Sequence, residues 1–496
     1  MVPFFIIISL GASFLVALLG RRSKNISDII AGISTFALFA LSVYALFLVN
    51  KFGIIVYKMG GWEPPLGICM VLDGFSVFML ITLNLVSFLI AVYSINYMEK
   101  YTDKYKFYSL FMLMVSGMNG VIITGDIFNL FVFLEIASVA SYALVAFGTE
   151  AEELEAAFKY AVIGSVASSF ILLGIGFLYG YASTLNMADL SLIISQKGFS
   201  MLILFVSALF IAGFGIKSAL VPFHAWLPDA HPSAPASISA MLSGVLIKVL
   251  GLYSLMRILF NVFGITETVK LILTVLGAIS LLVGVILAVG QWDFKRLLAY
   301  HSISQIGYVI LGIGLGTPLG ILGGLFHLFN HSVFKSLLFL NSGAVEYATG
   351  TRDLKKMGGL KERMPVTAST SWAASMAISG IPPFNGFWSK LIIILAFVQA
   401  NRFGLALVAV VGSVLTLASF MKVQKFAFFG SLNKAWENIK EVPLAMKASM
   451  LAFAVICLSG GILLIPKISD SFIGPAAEVL VSGTNYALTV LQGKAL

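Results

Sequence analysis

The sequence predicts an all-α polytopic membrane protein with about fourteen transmembrane helices. Hydrophobic residues make up 59% of its 496 positions and charged residues only 11%, and the mean hydropathy is +1.01. A soluble chain of this length needs far more charge to cover its surface. Apolar runs of about 20 residues, the length that crosses a bilayer, recur along the whole chain.

The predicted spans follow these apolar runs in order, with polar or charged segments between them. The first run has neither a basic leader nor a small-residue cleavage site, so we expect a retained helix rather than a signal peptide. The fourteen spans are 2–20, 28–50, 74–98, 107–125, 127–147, 156–182, 200–222, 236–262, 268–290, 300–316, 318–345, 366–400, 403–429 and 443–466.

Two segments between or after the spans do not read as membrane helices. Segment 51–73 contains GGWEPPLG, whose Gly and Pro residues favour an extended or hairpin excursion. The segment after Pro466 is mildly amphipathic, and we expect it to lie at the membrane interface.

The distribution of basic residues predicts the orientation of the chain in the cell membrane. With the N-terminus outside, the inner loops hold seventeen Lys and Arg residues, and the outer segments, which include Arg257, hold eight. The acidic segment 149–155 falls in an inner loop, but the positive-inside rule counts basic residues only. Both termini are therefore expected on the outer face.

Several function classes are not supported by the sequence. The formal net charge of +9 does not indicate a nucleic-acid partner, because in a membrane chain orientation explains the excess of basic residues. We find no P-loop and no dinucleotide-binding fingerprint. Cys69 and Cys457 are too few for a disulfide framework or a thiolate metal site. No cofactor, bound metal or nucleic acid is expected.

Four lysines lie deep in predicted spans: Lys217, Lys248, Lys335 and Lys390. Each costs about 2.5–3.5 kcal/mol at the centre of a bilayer on the insertion scale, so an intramembrane lysine is a candidate functional residue. Loss of hydration disfavours the charged form of an amine, which allows proton exchange. The alternative for any one of them is a purely structural ion pair or a misplaced helix boundary.

Glu135 is the only acidic residue deep inside a predicted span. An ion pair between Glu135 and one of the lysines would reduce the desolvation cost of both groups. The alternative is that Glu135 only holds two helices together. Asp126, at a span end, is expected to be interfacial or a helix cap, and Asp73 is expected to be a cap.

Two of the predicted spans contain prolines that should break the helix. Pro222 removes the backbone donor to the Ser218 carbonyl, and Pro382-Pro383 leaves the carbonyls of Ile378 and Ser379 without their usual partners. Unwound backbone at membrane depth is tolerated only where it is buried in protein or lines a wet cavity. Each break therefore fits a hydrated half-channel beside a lysine.

The sequences at the two breaks resemble each other: VPFHAW at the first and PPFNGFW at the second. They lie about five helices apart, and this odd offset would invert the second copy. Broken helices at matching positions of two halves are typical of inverted-repeat transporters. Chance similarity of two short motifs is the alternative.

A polar row occurs in the apolar stretch FHLFNHSVFKSLLFL (326–340). His327, His331 and Lys335 are spaced by four and so lie along one side of a helix, with Asn330 beside them. They could be ligands, a proton path or structural contacts. Haem ligation is disfavoured because two histidines four apart on one helix would compete for the same side of a macrocycle.

Three further polar residues, His224, Asp229 and His231, follow the first break. A metal site would need more ligands than this spacing supplies on one element. We expect these side chains to order the loop or to give protons access at the surface.

Four motifs resemble the antiporter-like subunits of the complex I superfamily, in order between about residues 70 and 430: HAWLPDAHPSAPASISAML, WDFKRLLAYHSISQIGYV, FHLFNHSVFKSLLFL and IPPFNGFWSK. That superfamily includes large membrane subunits of NADH:quinone oxidoreductase, of Mrp cation/proton antiporters and of membrane-bound hydrogenases. The stretch YALVAFGTEAEELEAAFKYAVIGS is most similar to the D-type subunits of Mrp antiporters and to the matching subunit of hydrogenase-type respiratory complexes.

The resemblance implies two inverted five-helix repeats, at 107–262 and 263–430. Three helices in 1–106 would precede them, and a last helix with an interfacial tail in 431–496 would follow. It also implies an axis of charged residues at mid-membrane. On this pattern Glu135 matches the membrane glutamate, Lys217 its partner, Lys248 the central lysine and Lys390 the terminal residue. The row between the halves is matched by His327, His331 and Lys335.

The function implied is proton translocation by a non-redox subunit of a cation/proton antiporter or an ion-pumping respiratory complex. Its partners would be other membrane subunits, including neighbouring antiporter-like subunits, and the transported ion H⁺, with Na⁺ left open. Glu135 would adjust the proton affinity of Lys217 by approaching or withdrawing. The alternatives are a subunit of NADH:quinone oxidoreductase, a Na⁺/H⁺ exchange module, a haem-binding redox subunit and a structural subunit.

Overall fold

The computed structural model describes residues 1–101 and 103–491, and they form a largely helical protein. In chain order the first helices are α1 (Phe4–Leu19), α2 (Lys24–Phe52), α3 (Gly74–Tyr97), α4 (Lys104–Ile123), α5 (Ile127–Val145), α6 (Ala151–Ala182), α7 (Met187–Lys197), α8 (Met201–Ser218), α9 (Leu227–Ser233), α10 (Ala236–Met241) and α11 (Ser254–Met256). The later helices are α12 (Glu267–Val289), α13 (Phe294–Gly314), α14 (Pro318–Thr349), α15 (Pro365–Ser379), α16 (Asn385–Gln399), α17 (Phe403–Val423), α18 (Leu444–Ser459), α19 (Pro466–Ser469), α20 (Ile473–Val481) and α21 (Asn485–Leu491).

One continuous helix, Ala236–Val262, runs through the middle of the molecule, and we call it the central helix. It begins as α10, contains α11 and has π-helical turns at Leu242–Tyr253 and Arg257–Val262. Its membrane window is completely buried, and α3, α4, α8 and α14 pack against it. Any polar side chain on the central helix must therefore find its partners inside the protein.

Eleven helices among the described residues are long and apolar enough to cross a membrane. This number supports a polytopic membrane protein, whereas the predicted count of fourteen spans stays a prediction. The remaining predicted spans correspond to the short α1, to the polar α14 and to the broken pair α15 and α16.

The excursion predicted at 51–73 is confirmed as a hairpin. Strands β1 (Ile55–Lys58) and β2 (Cys69–Leu72) pair antiparallel, with Ile55 opposite Leu72 and Lys58 opposite Cys69. The loop between the strands contains the Gly and Pro residues that exclude a helix.

Both predicted caps are confirmed. The Asp73 carboxylate accepts from the backbone N–H of Ser76, whose hydroxyl accepts in turn from the Asp73 N–H, so α3 begins with a capping box. The Asp126 carboxylate accepts from the Asn129 N–H at the start of α5. These local contacts fix where each helix begins.

The C-terminal tail folds back onto the helices. In α20 the side chains of Ile473, Ala476 and Leu480 are buried, and this helix packs against α3 and α14. The apolar side of the tail therefore packs against other helices of the protein. Its position at a membrane interface stays a prediction.

Candidate functional site

The first predicted break is confirmed between α8 and α9. Helix α8 ends at Ser218, and Ala219 takes a left-handed conformation with φ of 57°. The chain then runs without regular helix past Pro222 and becomes helical again at Leu227. Lys217 occupies the last turn of α8 and so lies directly at the break.

Lys217 is surrounded by hydroxyl groups and one carboxylate. Its ammonium nitrogen lies 3.0 Å from the Ser138 hydroxyl, 3.3 Å from the Tyr142 hydroxyl and 3.6 Å from Oε1 of Glu135. The predicted pairing of Glu135 with a deep lysine is therefore found. The Ser168 hydroxyl donates to the same Oε1 at 2.5 Å.

The two members of this pair are buried unequally. The Lys217 side chain is 2% exposed, whereas that of Glu135 is 32% exposed on the outside of α5. Glu135 is only half-buried in this chain because its helix lies at the periphery, and its depth in the membrane stays a prediction. A carboxylate in that position can change partners more easily than a fully enclosed one.

The second predicted break is confirmed between α15 and α16. Helix α15 ends at Ser379, and α16 begins at Asn385, after Pro382-Pro383. Lys390 projects back from the second turn of α16 and donates to the carbonyl of Ile378 at 2.7 Å.

The carbonyls freed by this break both have partners. The Ser413 hydroxyl donates to the Ser379 carbonyl at 2.8 Å and lies 3.3 Å from the Lys390 ammonium. Lys390 also sits over the ring of Tyr308, 4.7 Å from its centroid. The second break therefore solvates its lysine with neutral groups only.

Lys248 and Lys335 each donate to a backbone carbonyl, and a pair of serine hydroxyls lies between these two carbonyls. Lys248, on the π-helical part of the central helix, donates to the Ser243 carbonyl. The hydroxyls of Ser243 and Ser302 lie 2.8 Å apart, and Ser302 donates to the Leu298 carbonyl. Lys335 donates to that same carbonyl. Both lysines are fully buried.

The histidine row in α14 is buried as predicted, but its members have different surroundings. Nδ1 of His327 lies 2.9 Å from the Ser389 hydroxyl, and Nε2 lies 3.2 Å from the Gln305 side-chain oxygen. The rings of His327 and His331 are 6.4 Å apart. Neither ring nitrogen of His331 has a hydrogen-bond partner among the described residues.

The residues after the first break do not form one cluster. Asp229 lies 3.4 Å from both Lys159 and Arg296 in ion pairs that are partly exposed. His231 is fully buried against Phe339, with ring centroids 5.0 Å apart, so proton access at the surface is wrong for this residue and loop ordering stays a prediction. Burial lowers the pKa of His224.

A metal site is not indicated by the side chains. No group of three or more His, Cys, Asp or Glu residues comes close enough to hold a metal ion in the part of the chain that the structure describes.

Sequence reasoning missed several buried polar groups. Nε2 of His301 lies 2.8 Å from the Ser419 hydroxyl. Lys295, predicted in an inner loop, is buried and lies 3.0 Å from Glu346. His301, Gln305 and Tyr308 recur at helical spacing in α13, and this periodicity could have indicated a second polar face.

Arg257, predicted in an outer segment, is a buried residue of the central helix, and its side relative to the membrane stays a prediction. Arg257 is on the central helix, 4% exposed, and makes two parallel bonds of 2.7 and 2.8 Å to the fully buried Asp73 carboxylate. Apolar residues flank Arg257 on both sides, so the helix continues past it once Asp73 neutralises the charge.

The sequence matches two family models. The model described as NADH:quinone oxidoreductase/Mrp antiporter, TM, covers residues 124–416. The model described as NADH-ubiquinone oxidoreductase (complex I), chain 5 N-terminus, covers residues 63–108.

Two relatives are similar over most of their length. The D-type subunit of the Na⁺/H⁺ antiporter of Alkalihalophilus pseudofirmus is 35% identical over 467 residues, 92% of either chain. The N-type subunit of the NADH-quinone oxidoreductase of Desulforudis audaxviator is 36% identical over 430 residues, 84% of this chain and 85% of that one.

Two solved structures contain chains of the same shape. One, in the Mrp complex from Dietzia sp., superposes with a TM-score of 0.91 at 29% identity. The other, in the membrane-bound sulfane sulfur reductase, an archaeal respiratory membrane complex, superposes with a TM-score of 0.91 at 30% identity. Each match covers 99% of both chains.

Proposed function

Because the chain belongs to the NADH:quinone oxidoreductase/Mrp antiporter transmembrane family, we propose that it is a proton-translocating subunit of a multi-subunit cation/proton antiporter or ion-pumping respiratory complex. Relatives and structural neighbours are named as subunits or parts of such assemblies, so its partners are other membrane subunits. The ion carried is H⁺, and Na⁺ is a second candidate because the relatives are named Na⁺/H⁺ antiporter subunits.

The observation that carries this proposal is the neutral surroundings of three buried lysines. Lys248, Lys335 and Lys390 are at most 2% exposed. Among the described residues, Lys217 alone of the four deep lysines lies within 4 Å of a carboxylate. A permanently charged, unpaired amine would be costly to bury. Amines that gain and lose a proton in turn avoid much of that cost.

The first step of the mechanism is exchange at the Glu135–Lys217 pair. The 3.6 Å separation is too long for a hydrogen bond, and Ser138 and Tyr142 already hold the ammonium. A small approach of Glu135 strengthens the ion pair, and withdrawal leaves the amine with neutral partners only. Opposite charges change proton equilibria strongly over such distances.

The second step is relay toward the other break. The hydroxyls of Ser243 and Ser302 lie between the carbonyls that hold Lys248 and Lys335, and the His331 and His327 side chains continue along α14. Because a backbone carbonyl only accepts, water beside these hydroxyls would carry the proton from one lysine to the other. Buried polar atoms such as the His331 nitrogens ordinarily bind ordered water when protein partners are lacking. We therefore expect water molecules to complete the path to Lys390.

The architecture that we propose has fourteen spans and two inverted repeats, at 107–262 and 263–430. In support, a lysine lies beside a broken helix in each half, and each break contains proline in a similar sequence. Residues 1–106 would form an N-terminal unit and residues 431–496 a closing unit. Both termini would lie on the outer face.

The test is proton transport by the assembled complex in membrane vesicles, followed with a pH-sensitive dye. Lys217→Ala should abolish transport, whereas Lys447→Ala, a change on α18 away from the site, should leave it intact. Normal transport by an assembled Lys217→Ala complex would refute the proposal.

A second candidate, membership of an NADH:quinone oxidoreductase, is favoured by the similarity to the N-type subunit of Desulforudis audaxviator. The subunits that co-purify with this chain separate the two cases, because only the second assembly oxidises NADH. Dependence of proton transport on external Na⁺ tests the exchange of the two ions.

A further inference from the structure

Three serines form one row along α15, below the second break. Ser371, Ser375 and Ser379 are spaced by four, so successive hydroxyls lie on one side of the helix with a rise of about 6 Å. All three are at most 2% exposed. We call them the serine row.

The foot of the serine row is held by Gln424 at the end of α17. The Gln424 amide donates to the hydroxyls of Ser371 at 3.2 Å and Ser375 at 2.9 Å. Gln424 also lines a cleft of about 370 Å³ that opens between the start of α15 and the end of α17. Lys361 and Pro365, at the face formed by loop 352–363, line the same cleft.

The top of the serine row meets Lys390. The Ser379 carbonyl accepts from the Ser413 hydroxyl, which lies 3.3 Å from the Lys390 ammonium. The Ile378 carbonyl, one residue earlier, accepts directly from Lys390. The row therefore extends from Gln424, which lines the cleft, toward the lysine at the second break.

Ordinary helix packing does not account for these hydroxyls. A buried helical serine usually donates to the carbonyl four residues earlier, as Ser207 and Ser332 do here. Ser371 and Ser375 instead accept from Gln424, and no such backbone bond is found for them among the described residues. The Gln424 side-chain oxygen and the Ser379 hydroxyl, at the two ends, are buried without partners among those residues.

We propose that the serine row and Gln424 form a hydrated path by which protons reach Lys390 from the face of loop 352–363. Ordered water between hydroxyls about 6 Å apart would complete a chain of hydrogen bonds. The inference deepens the proposed function and rests on it for the direction of proton flow. Access of water to the row is a separate property that can be measured alone.

The first test measures access with Ag⁺, which binds thiolates and is close to water in size. Cysteine is placed at Ser371, Ser375 or, as a control, Ser207, in a complex whose Cys69 and Cys457 are replaced by alanine. Ag⁺ added at the face of loop 352–363 should react with cysteine at 371 and 375 at least about tenfold faster than at 207, because thiolate forms readily only where water reaches. Reaction at 371 but not at 375 would overturn the proposal.

The second test compares Ser375→Val with Ser375→Thr, two side chains of nearly equal size that differ by one hydroxyl. The valine variant should transport protons about tenfold more slowly than the threonine variant, which corresponds to about 1.4 kcal/mol. The same exchange at Ser207 should have no effect. Equal rates for the two Ser375 variants would overturn the path.

The two tests also separate this inference from the proposed function. Normal transport in Lys217→Ala refutes proton translocation through the axis, yet it does not alter the Ag⁺ result. Loss of transport in Lys217→Ala together with unreactive cysteines refutes the path and leaves the proposed function standing.

Discussion

Two ion pairs inside this protein differ in distance and burial, and the difference suits one to holding helices together and the other to the proposed proton exchange. Arg257 and Asp73 are joined by two bonds of 2.7 and 2.8 Å, and both side chains are at most 5% exposed. Lys217 and Glu135 lie 3.6 Å apart, and the carboxylate is 32% exposed.

The chemistry of the two cations explains this difference. A guanidinium stays protonated in proteins and fits a carboxylate with two parallel bonds, so it suits a fixed joint. An ammonium on a flexible stem can release its proton when its surroundings change. A loose, unequally buried pair with Lys is therefore suited to proton exchange, and a tight one with Arg is suited to holding helices in place.

The largest expected effect is a loss of stability when the Arg257–Asp73 ion pair is broken. Arg257→Met would leave the buried Asp73 carboxylate without its cation, and breaking such a pair costs about 3–5 kcal/mol. The assembled complex should dissociate at a clearly lower temperature, as measured by size-exclusion chromatography after heating. The double variant with Asp73→Asn should recover most of the loss. An unchanged dissociation temperature would contradict the structural role.

The next largest effect concerns transport without loss of stability. Lys217→Arg keeps a positive charge beside Glu135 but removes the exchangeable proton. Proton transport in vesicles should fall at least about 100-fold, the lower end of what a proton-transfer group contributes. The complex should assemble normally, and Lys447→Arg serves as the control. Full transport by Lys217→Arg would show that this site does not exchange protons.

A smaller effect is expected when the second break is given a carboxylate. Ser413→Asp would place an acid within reach of Lys390, and a tight ion pair should slow release of its proton. Transport should fall about tenfold, equivalent to about 1.4 kcal/mol. Ser413→Asn, of equal size and without charge, controls for shape. Equal transport by the two variants would mean that neutral surroundings are not required at Lys390.

The smallest effect on transport is expected at Ser168, which contacts the Lys217–Glu135 pair through Glu135. Ser168→Ala removes the hydroxyl that donates to Glu135. A bond to a charged group is worth about 1.5–3 kcal/mol when buried, but Glu135 is only half-buried and keeps the Lys217 ammonium as a second polar neighbour. A change of only about twofold in the transport rate is therefore expected, with Ser165→Ala as the control. A complete loss would indicate that the carboxylate must be held rigidly.

The breaks in the helices could be predicted from the sequence, whereas the partners of the freed groups could not. A missing N–H is a local property of Pro222 and Pro382-Pro383, and it fixes which carbonyls lose a bond. The Ser413 hydroxyl that takes over at Ser379 comes from another helix, 34 positions away. Nothing near the break identifies that helix.

The partners of charged residues are even harder to predict from the sequence than the partners of the freed carbonyls. Lys217 and Glu135 could be paired in advance because Glu135 was the only deep acid in the predicted spans. The sequence predicts an outer segment for Arg257 because nothing near it neutralises its charge; its partner Asp73 lies 184 positions earlier, at a helix start. A hydropathy profile registers the charge of Arg257, but it does not include the Asp73 carboxylate that neutralises this charge in the folded protein.

The tail that covers Arg257 has a consequence for the order in which the protein is made. The Asn261 amide donates to the carbonyls of Val479 and Gly483, 218 and 222 positions later, and the Tyr486 ring lies 5.1 Å from the Arg257 guanidinium. At about 5–20 residues per second, a ribosome needs about 10–45 s to supply those partners. Until translation nears its end, the central helix must wait in the membrane without the contacts that cover its C-terminal end.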